Sequence, residues 1–122
     1  DVLIWYMKGN LSARSEIEAL SEFHISVVTY IEMVQGMRNK HELTCLRRAL
    51  RAWNAKIVYI TEDISAKAMF YVEQYYLSHS LQLADALISA TAIANGFDVL
   101  TANAKHYRFL KDICLKEFKP LA

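Results

Sequence analysis

The segment Leu-Ala-Asp-Ala-Leu-Ile-Ser-Ala-Thr-Ala-Ile-Ala-Asn, over residues 83–95, constrains the fold of this chain more than any other stretch. Its residues are apolar or small on nearly every side at helical spacing, which is typical of a buried helix. Asp85 is its only charged residue and lies at its start. This carboxylate has two interpretations. It is either a helix N-cap that binds free backbone N–H groups, or a metal ligand or general base at the rim of a cleft.

Length and composition favour one globular domain over residues 1–122. Hydrophobic residues make up 54% of the chain, which argues against disorder. The net charge is +1, so the chain as a whole is not a strong polyanion binder. Any contact with nucleic acid must therefore come from a local patch. No apolar run reaches the roughly 18 residues of a membrane span, so no membrane association is expected.

Cysteine and histidine usage bears on the compartment and on the kind of metal. Cys45 and Cys114 show no CxxC spacing, which favours core residues in a reducing cytoplasm over a disulfide. The four histidines form no HxxxH or Cys/His pattern, which argues against a zinc site.

Hydrophobic periodicity predicts an alternation of helices and strands. Helices are predicted over residues 12–23, 28–38, 40–53, 62–76, 83–95 and 104–110, with a loop over 78–80. Strands are predicted over residues 24–27, 56–60, 97–101 and 113–115. Residues 2–10 fit either a strand or a short helix that Asp1 caps. The alternation argues for a parallel sheet flanked by helices.

Ligands of such a sheet bind at the carboxyl ends of its strands. Four polar residues lie near predicted helix N-termini and are expected to converge at this edge: Asp1, Glu32, Asp85 and Asn103. Carboxylates that meet in a cleft stay ionised only around a cation, and oxygen ligands without His or Cys suit Mg²⁺ or Mn²⁺. A site of this kind cleaves phosphodiester bonds by activating water. Thr101 and Asn103 would hold metal-bound waters.

These residues also have structural interpretations. Glu32 lies three residues after Thr29, which is the spacing of a capping box. Asn103 is a typical cap or turn residue. The arginines over residues 47–51 are expected on a solvated helix face, and Tyr107 is expected to pack rather than to stack on bases.

Three segments in a fixed order carry a resemblance to one family. Residues 25–36 contain an acidic residue and a following glycine, residues 83–96 contain the next aspartate, and residues 99–107 form the last motif. That motif is a threonine, an Asn or Asp two positions on, a basic residue and an aromatic: Thr101, Asn103, Lys105 and Tyr107. The ordered set resembles the PIN-domain ribonucleases, and most closely the VapC-type toxins of bacterial toxin–antitoxin pairs.

The front of the chain departs from the family pattern. The family's first strand ends in a catalytic Asp, followed two positions on by Asn, Asp or Ser and then by an apolar helix. Asp1 directly precedes an apolar run over residues 2–6, so it aligns with the third position of that motif. The first catalytic Asp and the first strand would then lie upstream, and a missing central strand would leave two unpaired sheet edges. A second alignment makes Asp1 itself the catalytic Asp.

The resemblance implies a PIN-like three-layer α/β/α fold with a short central parallel sheet whose first strand is missing. It also implies a Mg²⁺- or Mn²⁺-dependent endoribonuclease that is held inactive by a cognate antitoxin and forms a homodimer. Glu32 and Asp85 would bind metal and act in catalysis together with Asn103, with Thr101 in support and with Asn103 and Asp1 as further ligands.

The resemblance leaves the RNA-binding residues and one alternative function open. Three residues near the last motif are candidates for RNA phosphates by position alone: Lys105, His106 and Arg108. The alternative is a non-catalytic PIN-fold interaction module that acts through an antitoxin partner. A receiver-like phosphotransfer domain fits the order of the motifs less well.

Overall fold

The computed structural model of the chain describes residues 23–101 and 104–117. These residues fall into two compact units, the first comprising residues 23–58 and the second comprising residues 59–101 and 104–117. That both units belong to one domain over residues 1–122 stays a prediction. The elements predicted over residues 2–10 and, apart from Phe23, over 12–23 lie outside the described residues.

The first unit contains a parallel pair of strands. Strand β1 (Phe23–Ser26) pairs with strand β2 (Ala55–Val58), and Ser26 lies opposite Val58 at the carboxyl ends of both strands. Apolar and polar residues alternate along β1, β2 ends in the β-branched Ile57 and Val58, and the side chain of Ile25 is buried. The parallel pairing predicted from the alternation of strands and helices is confirmed for these two strands.

Two capped helices separate these strands along the chain. Helix α1 (Val27–Gln35) begins after Ser26, and helix α2 (Lys40–Ala52) begins after Asn39. The side-chain oxygens of both caps accept a hydrogen bond from a backbone N–H of the first turn, at 3.1 and 3.0 Å. Such caps satisfy backbone donors that a helix cannot pair internally.

Helix α2 has the two faces that its sequence predicts. Leu46 and Leu50 are buried, and Leu43 is half-buried beside them. The arginines over residues 47–51 are all exposed. The helix therefore contributes leucines to the core and guanidinium groups to the surface.

The second unit is built on two helices joined by a short connection. Helix α3 (Glu62–His79) is longer than predicted, so the predicted loop over residues 78–80 is wrong except at Ser80. Ser80 ends α3 in the left-handed conformation, with φ of 56°. Helix α4 (Leu83–Asn95) has the predicted bounds and ends at Gly96, whose φ of 68° favours glycine.

Small residues of α4 form the core of the second unit with α3. Ala86 and Ala90 are fully buried, so the backbone of α4 lies close to its neighbours. The cluster also contains Ile64 and Ala68 of α3 and Leu81 of the connection. The predicted burial of α4 is thereby confirmed along this face.

A second parallel strand pair follows α4. Strand β3 (Asp98–Thr101) pairs with strand β4 (Cys114–Glu117), with Thr101 opposite Glu117. Between them, residues 104–106 form a short 3-10 helix followed by turns, in place of the predicted longer helix. The four described strands thus form two two-stranded parallel sheets, one within each unit.

Two further sequence predictions concern the cysteines and membrane spans. Cys45 is half-buried and Cys114 is exposed, and both are free thiols. The prediction of a core position is therefore wrong for Cys114, because β4 turns this side chain toward solvent. Across residues 23–101 and 104–117, no helix is long and apolar enough to cross a membrane.

Candidate functional site

Asp85 lies in the first turn of α4 but does not cap it. The N-cap residue is Gln82, and its side chain makes no capping hydrogen bond. Asp85 is the third residue of the helix, where its negative charge is favoured by the helix dipole. The N-cap interpretation of Asp85 is therefore wrong, and its carboxylate has different partners.

The carboxylate of Asp85 is held by two residues that follow β3. The hydroxyl of Tyr107 donates a hydrogen bond to Asp85 Oδ1 over 3.1 Å. His106 Nδ1 lies 3.7 Å from Asp85 Oδ2, which is an ion pair only while the imidazole is protonated. The contacts join the first turn of α4 to the segment after β3, both within the second unit.

These three side chains differ in their access to solvent. Tyr107 is 7% exposed, whereas the side chains of Asp85 and His106 are 27% and 51% exposed. The buried phenol therefore fixes a carboxylate whose other side faces solvent. Tyr107 was predicted to pack rather than to stack on bases, and its hydrogen bond to Asp85 was not predicted. The signal was the aromatic position of the last motif, but its partner lies 22 residues earlier in the chain.

Three other predicted site residues lie within the described ranges at or after the end of β3: Thr101, Lys105 and Arg108. Thr101 ends β3 with its side chain 3% exposed. Lys105 and Arg108 are exposed and flank His106 and Tyr107 in the chain. Asn103 lies outside the described residues, and so does Asp1. Their assigned roles stay predictions.

Glu32 lies in the first unit, in the middle of α1. The helix begins at Val27 under the cap of Ser26, so Thr29 is already its third residue and Glu32 its sixth. The capping-box interpretation of Glu32 is therefore wrong, as is its placement near a helix N-terminus. Its side chain is exposed and takes no part in helix capping. This carboxylate is available to a ligand.

The donor set of the candidate site fits a hard cation by its chemistry. Asp85 and Glu32 offer carboxylate oxygens, and Mg²⁺ is commonly held by one or two carboxylates together with waters and substrate phosphates. In the part of the chain that the structure describes, no three His, Cys, Asp or Glu side chains are grouped to hold a metal. Glu32 and Asp85 belong to different units, so their convergence stays a prediction.

Comparison with known proteins places this chain in a class. The model of the PIN domain matches residues 1–111. The chain therefore belongs to the PIN-domain family.

Similarity to individual proteins shows which type of PIN domain this chain is. Ribonuclease VapC10 of Mycobacterium tuberculosis is 30% identical over 119 residues, covering 93% of this chain and 86% of that protein. A toxin–antitoxin complex from Klebsiella pneumoniae contains a chain with a TM-score of 0.77 and 26% identity, covering 92% of this chain and 89% of that one. VapBC2 from Rickettsia felis, bound to a DNA fragment from its promoter, has a TM-score of 0.79 at 18% identity, covering 97% and 94%. Within the PIN-domain family, the chain is thus of the VapC type, and the predicted α/β PIN fold is confirmed.

Proposed function

We propose that this chain is a metal-dependent endoribonuclease and the toxin of a toxin–antitoxin pair. The observation that carries the proposal is the Asp85 carboxylate, which caps no helix and is held by a buried tyrosine while remaining open to solvent. A carboxylate fixed in this way is suited to bind or deprotonate a ligand rather than to stabilise its own helix. The relatedness to ribonuclease VapC10 supplies the reaction class.

Asp85 and Glu32 are the residues we assign to the metal, with Asp1 and Asn103 as further ligands. Mg²⁺ or Mn²⁺, when bound, lowers the pKa of a coordinated water and neutralises charge on the scissile phosphate. Asp85 orients the attacking water and accepts its proton, and the hydroxyl of Tyr107 keeps the carboxylate in place. Thr101 supports this arrangement from the end of β3.

Three basic residues that follow β3 are assigned to the RNA. Lys105, His106 and Arg108 are exposed after β3, within the same unit as Asp85. Ammonium and guanidinium groups bind phosphate oxygens by charge-assisted hydrogen bonds, and an imidazole nitrogen can donate a hydrogen bond to the same oxygens. They would hold the backbone of a single strand so that one phosphodiester bond lies against the carboxylate.

The partners of the proposed toxin are a cognate antitoxin and a second copy of the chain. The similarity to a chain in the Klebsiella pneumoniae toxin–antitoxin complex supports the antitoxin. In this proposal a segment of the antitoxin covers the Asp85 carboxylate and keeps RNA from it. Size-exclusion chromatography with light scattering on the chain alone tests the homodimer.

RNA cleavage by the wild-type chain and by Asp85→Asn tests the function. Cleavage should require Mg²⁺ or Mn²⁺ and stop with EDTA, and the variant should lose roughly 100-fold or more, the size of a lost general base. Asp98→Asn is the matched control, because Asp98 is an exposed carboxylate of the same unit outside the proposed site. Wild-type activity in Asp85→Asn would remove Asp85 from the site.

Glu32→Gln tests the other carboxylate. Because Glu32 is exposed and caps nothing, the substitution should change the free energy of unfolding by less than about 0.5 kcal/mol. Cleavage should nevertheless fall, and Glu73→Gln, on an exposed position of α3, should not affect it. Full activity of Glu32→Gln would refute its role as a ligand.

A non-catalytic interaction module is the second candidate. The observation in its favour is that, across the described ranges, no three metal-ligating side chains are grouped together. Such a module would bind its antitoxin but leave RNA intact with either metal. Absence of cleavage together with antitoxin binding would select this function.

A further inference from the structure

The positive charge of this chain is concentrated in its first unit. Residues 23–58 contain six Lys and Arg but only two Asp and Glu, whereas residues 59–117 contain five Lys and Arg and seven Asp and Glu. The net charge of +1 therefore combines a basic first unit with an acidic second unit. A basic surface of this kind attracts polyanions even when the net charge of the whole chain is small.

The basic residues of α2 lie along one face. At 100° per residue, four cations fall within a sector of about 100°: Lys40, Arg47, Arg48 and Arg51. All four are exposed, and the neutral Thr44 between them is exposed as well. With a rise of 1.5 Å per residue, this basic stripe is about 16 Å long. The buried Leu46 and Leu50 lie on the other side of the helix.

No carboxylate neutralises the basic stripe within the described residues. Glu42 is the only acid of α2, and it points away from the stripe and binds Arg38, with 2.8 Å between Arg38 Nε and Glu42 Oε1. Arg47 and Arg51 are four residues apart, and like charges at this spacing destabilise a helix. A solvated helix face normally carries alternating charges that avoid this repulsion. The uninterrupted stripe therefore suits an external anion.

We infer that the basic stripe of α2 binds the phosphate backbone of the RNA substrate, through residues other than Asp85 and those assigned to the metal. This inference rests on the proposed function for the identity of the polyanion. Arginine guanidinium groups bind phosphates in bidentate geometry, and a positively charged track along an element is how proteins hold single strands without reading sequence. A length of about 16 Å accommodates several consecutive phosphates.

The salt dependence of RNA binding tests this inference on the full chain. The probe is a fluorescein-labelled single-stranded RNA of about 20 nucleotides, longer than the roughly 4–16 nucleotides of a typical single-strand site. EDTA is present so that binding is measured without cleavage. The test variant is R47Q/R51Q, and the control is K67Q/K111Q, which removes the same charge from exposed positions of the second unit. Circular dichroism verifies that both variants fold.

R47Q/R51Q should bind RNA with a Kd raised about tenfold at about 0.15 M salt, because two phosphate contacts are lost. Each phosphate contact to a single strand contributes about 0.7 to the slope of log association constant against log salt concentration. Loss of two contacts should therefore make this slope less steep by about 1.4. K67Q/K111Q should retain the wild-type slope. Equal slopes for both variants, or a wild-type chain that shows no salt-dependent RNA binding, would overturn the inference.

Two further outcomes separate this inference from the proposed function and from another occupant. If Asp85→Asn abolishes cleavage while R47Q/R51Q binds RNA normally, the proposed nuclease activity is supported and the stripe has no role in RNA binding. If R47Q/R51Q loses RNA binding although the wild-type chain cleaves no RNA, the role of the stripe in RNA binding is supported and the proposed nuclease activity is refuted. If the arginines are needed for a poly-glutamate peptide but not for RNA, the stripe serves an acidic protein and the inference is wrong.

Discussion

Removal of the Tyr107 hydroxyl by Tyr107→Phe should weaken both the fold and the positioning of the Asp85 carboxylate. A hydrogen bond to a charged group contributes about 1.5–3 kcal/mol. The side chain of Asp85 is 27% exposed, so the freed Oδ1 regains a water and the loss falls at the lower end of this range. We therefore expect the free energy of unfolding to fall by about 1.5 kcal/mol. The phenyl ring stays in place, so no cavity adds to this figure.

Urea denaturation followed by circular dichroism measures this loss as a lower midpoint with an unchanged slope. Tyr76→Phe is the matched control, because Tyr76 is 50% exposed and should change stability by less than about 0.5 kcal/mol. A double-mutant cycle with Asp85→Ala isolates the contact between Tyr107 and Asp85 from the other interactions of the phenol. The coupling energy should be about 1 kcal/mol.

RNA cleavage gives the second readout of Tyr107→Phe. Groups that orient a metal-binding side chain are worth about 10–100-fold in affinity or activity. We expect a loss within that range, smaller than the loss in Asp85→Asn. A coupling energy of zero, or a Tyr107→Phe variant as stable as Tyr76→Phe, would refute the assignment of the hydrogen bond.

Four other substitutions have defined outcomes. Ser89→Ala should leave the free energy of unfolding unchanged or raise it by up to about 1 kcal/mol in urea denaturation, because the buried Ser89 hydroxyl finds no hydrogen-bond partner among the described residues. Thr91→Val should lower the free energy of unfolding, because the Thr91 hydroxyl donates a hydrogen bond to the Leu87 carbonyl. Gly96→Ala should destabilise by about 1 kcal/mol in the same assay, because φ is 68° there; an unchanged midpoint would contradict this. The Arg38 side chain lowers the pKa of Glu42, so that pKa should rise in Arg38→Gln when titrated by NMR. Because the pKa of Glu42 is lowered in the folded state, this contact stabilises the fold at pH values above the ordinary pKa of a glutamate. That stabilisation is lost as the pH falls through the lowered pKa.

The elements that the sequence predicts well are those whose ends have a local cause. Helix α4 ends where predicted because Gly96 adopts a left-handed conformation that other residues avoid. The start of α1 was predicted one residue late, with Thr29 and Glu32 as a capping box. Ser26 caps the helix instead, since it lies at the end of β1 where the chain already turns. A local pattern of two residues cannot reveal which of two nearby caps is used.

Only part of the candidate site can be predicted from the sequence, because its contacts join residues that are distant in the chain. Asp85 and its position on α4 follow from the sequence, because a lone carboxylate in an apolar helix is conspicuous. The contact with Tyr107 does not follow, since it depends on how the segment after β3 lies against α4. The 3-10 helix at residues 104–106, shorter than the predicted helix, brings the phenol there. Such contacts are fixed by tertiary structure and have no periodic signal.

The short connection between α3 and α4 has a consequence for the order of folding. Only residues 80–82 separate the two helices, so their contacts are local in sequence, and local helical contacts form early and fast. The helix that carries Asp85 should thus be in place before β3 and β4 pair and before Tyr107 reaches the carboxylate. Loss of that late contact then accelerates unfolding and leaves the folding rate nearly unchanged. The carboxylate would be positioned by the last step of folding, so the chain would acquire a functional site only once its second strand pair has formed.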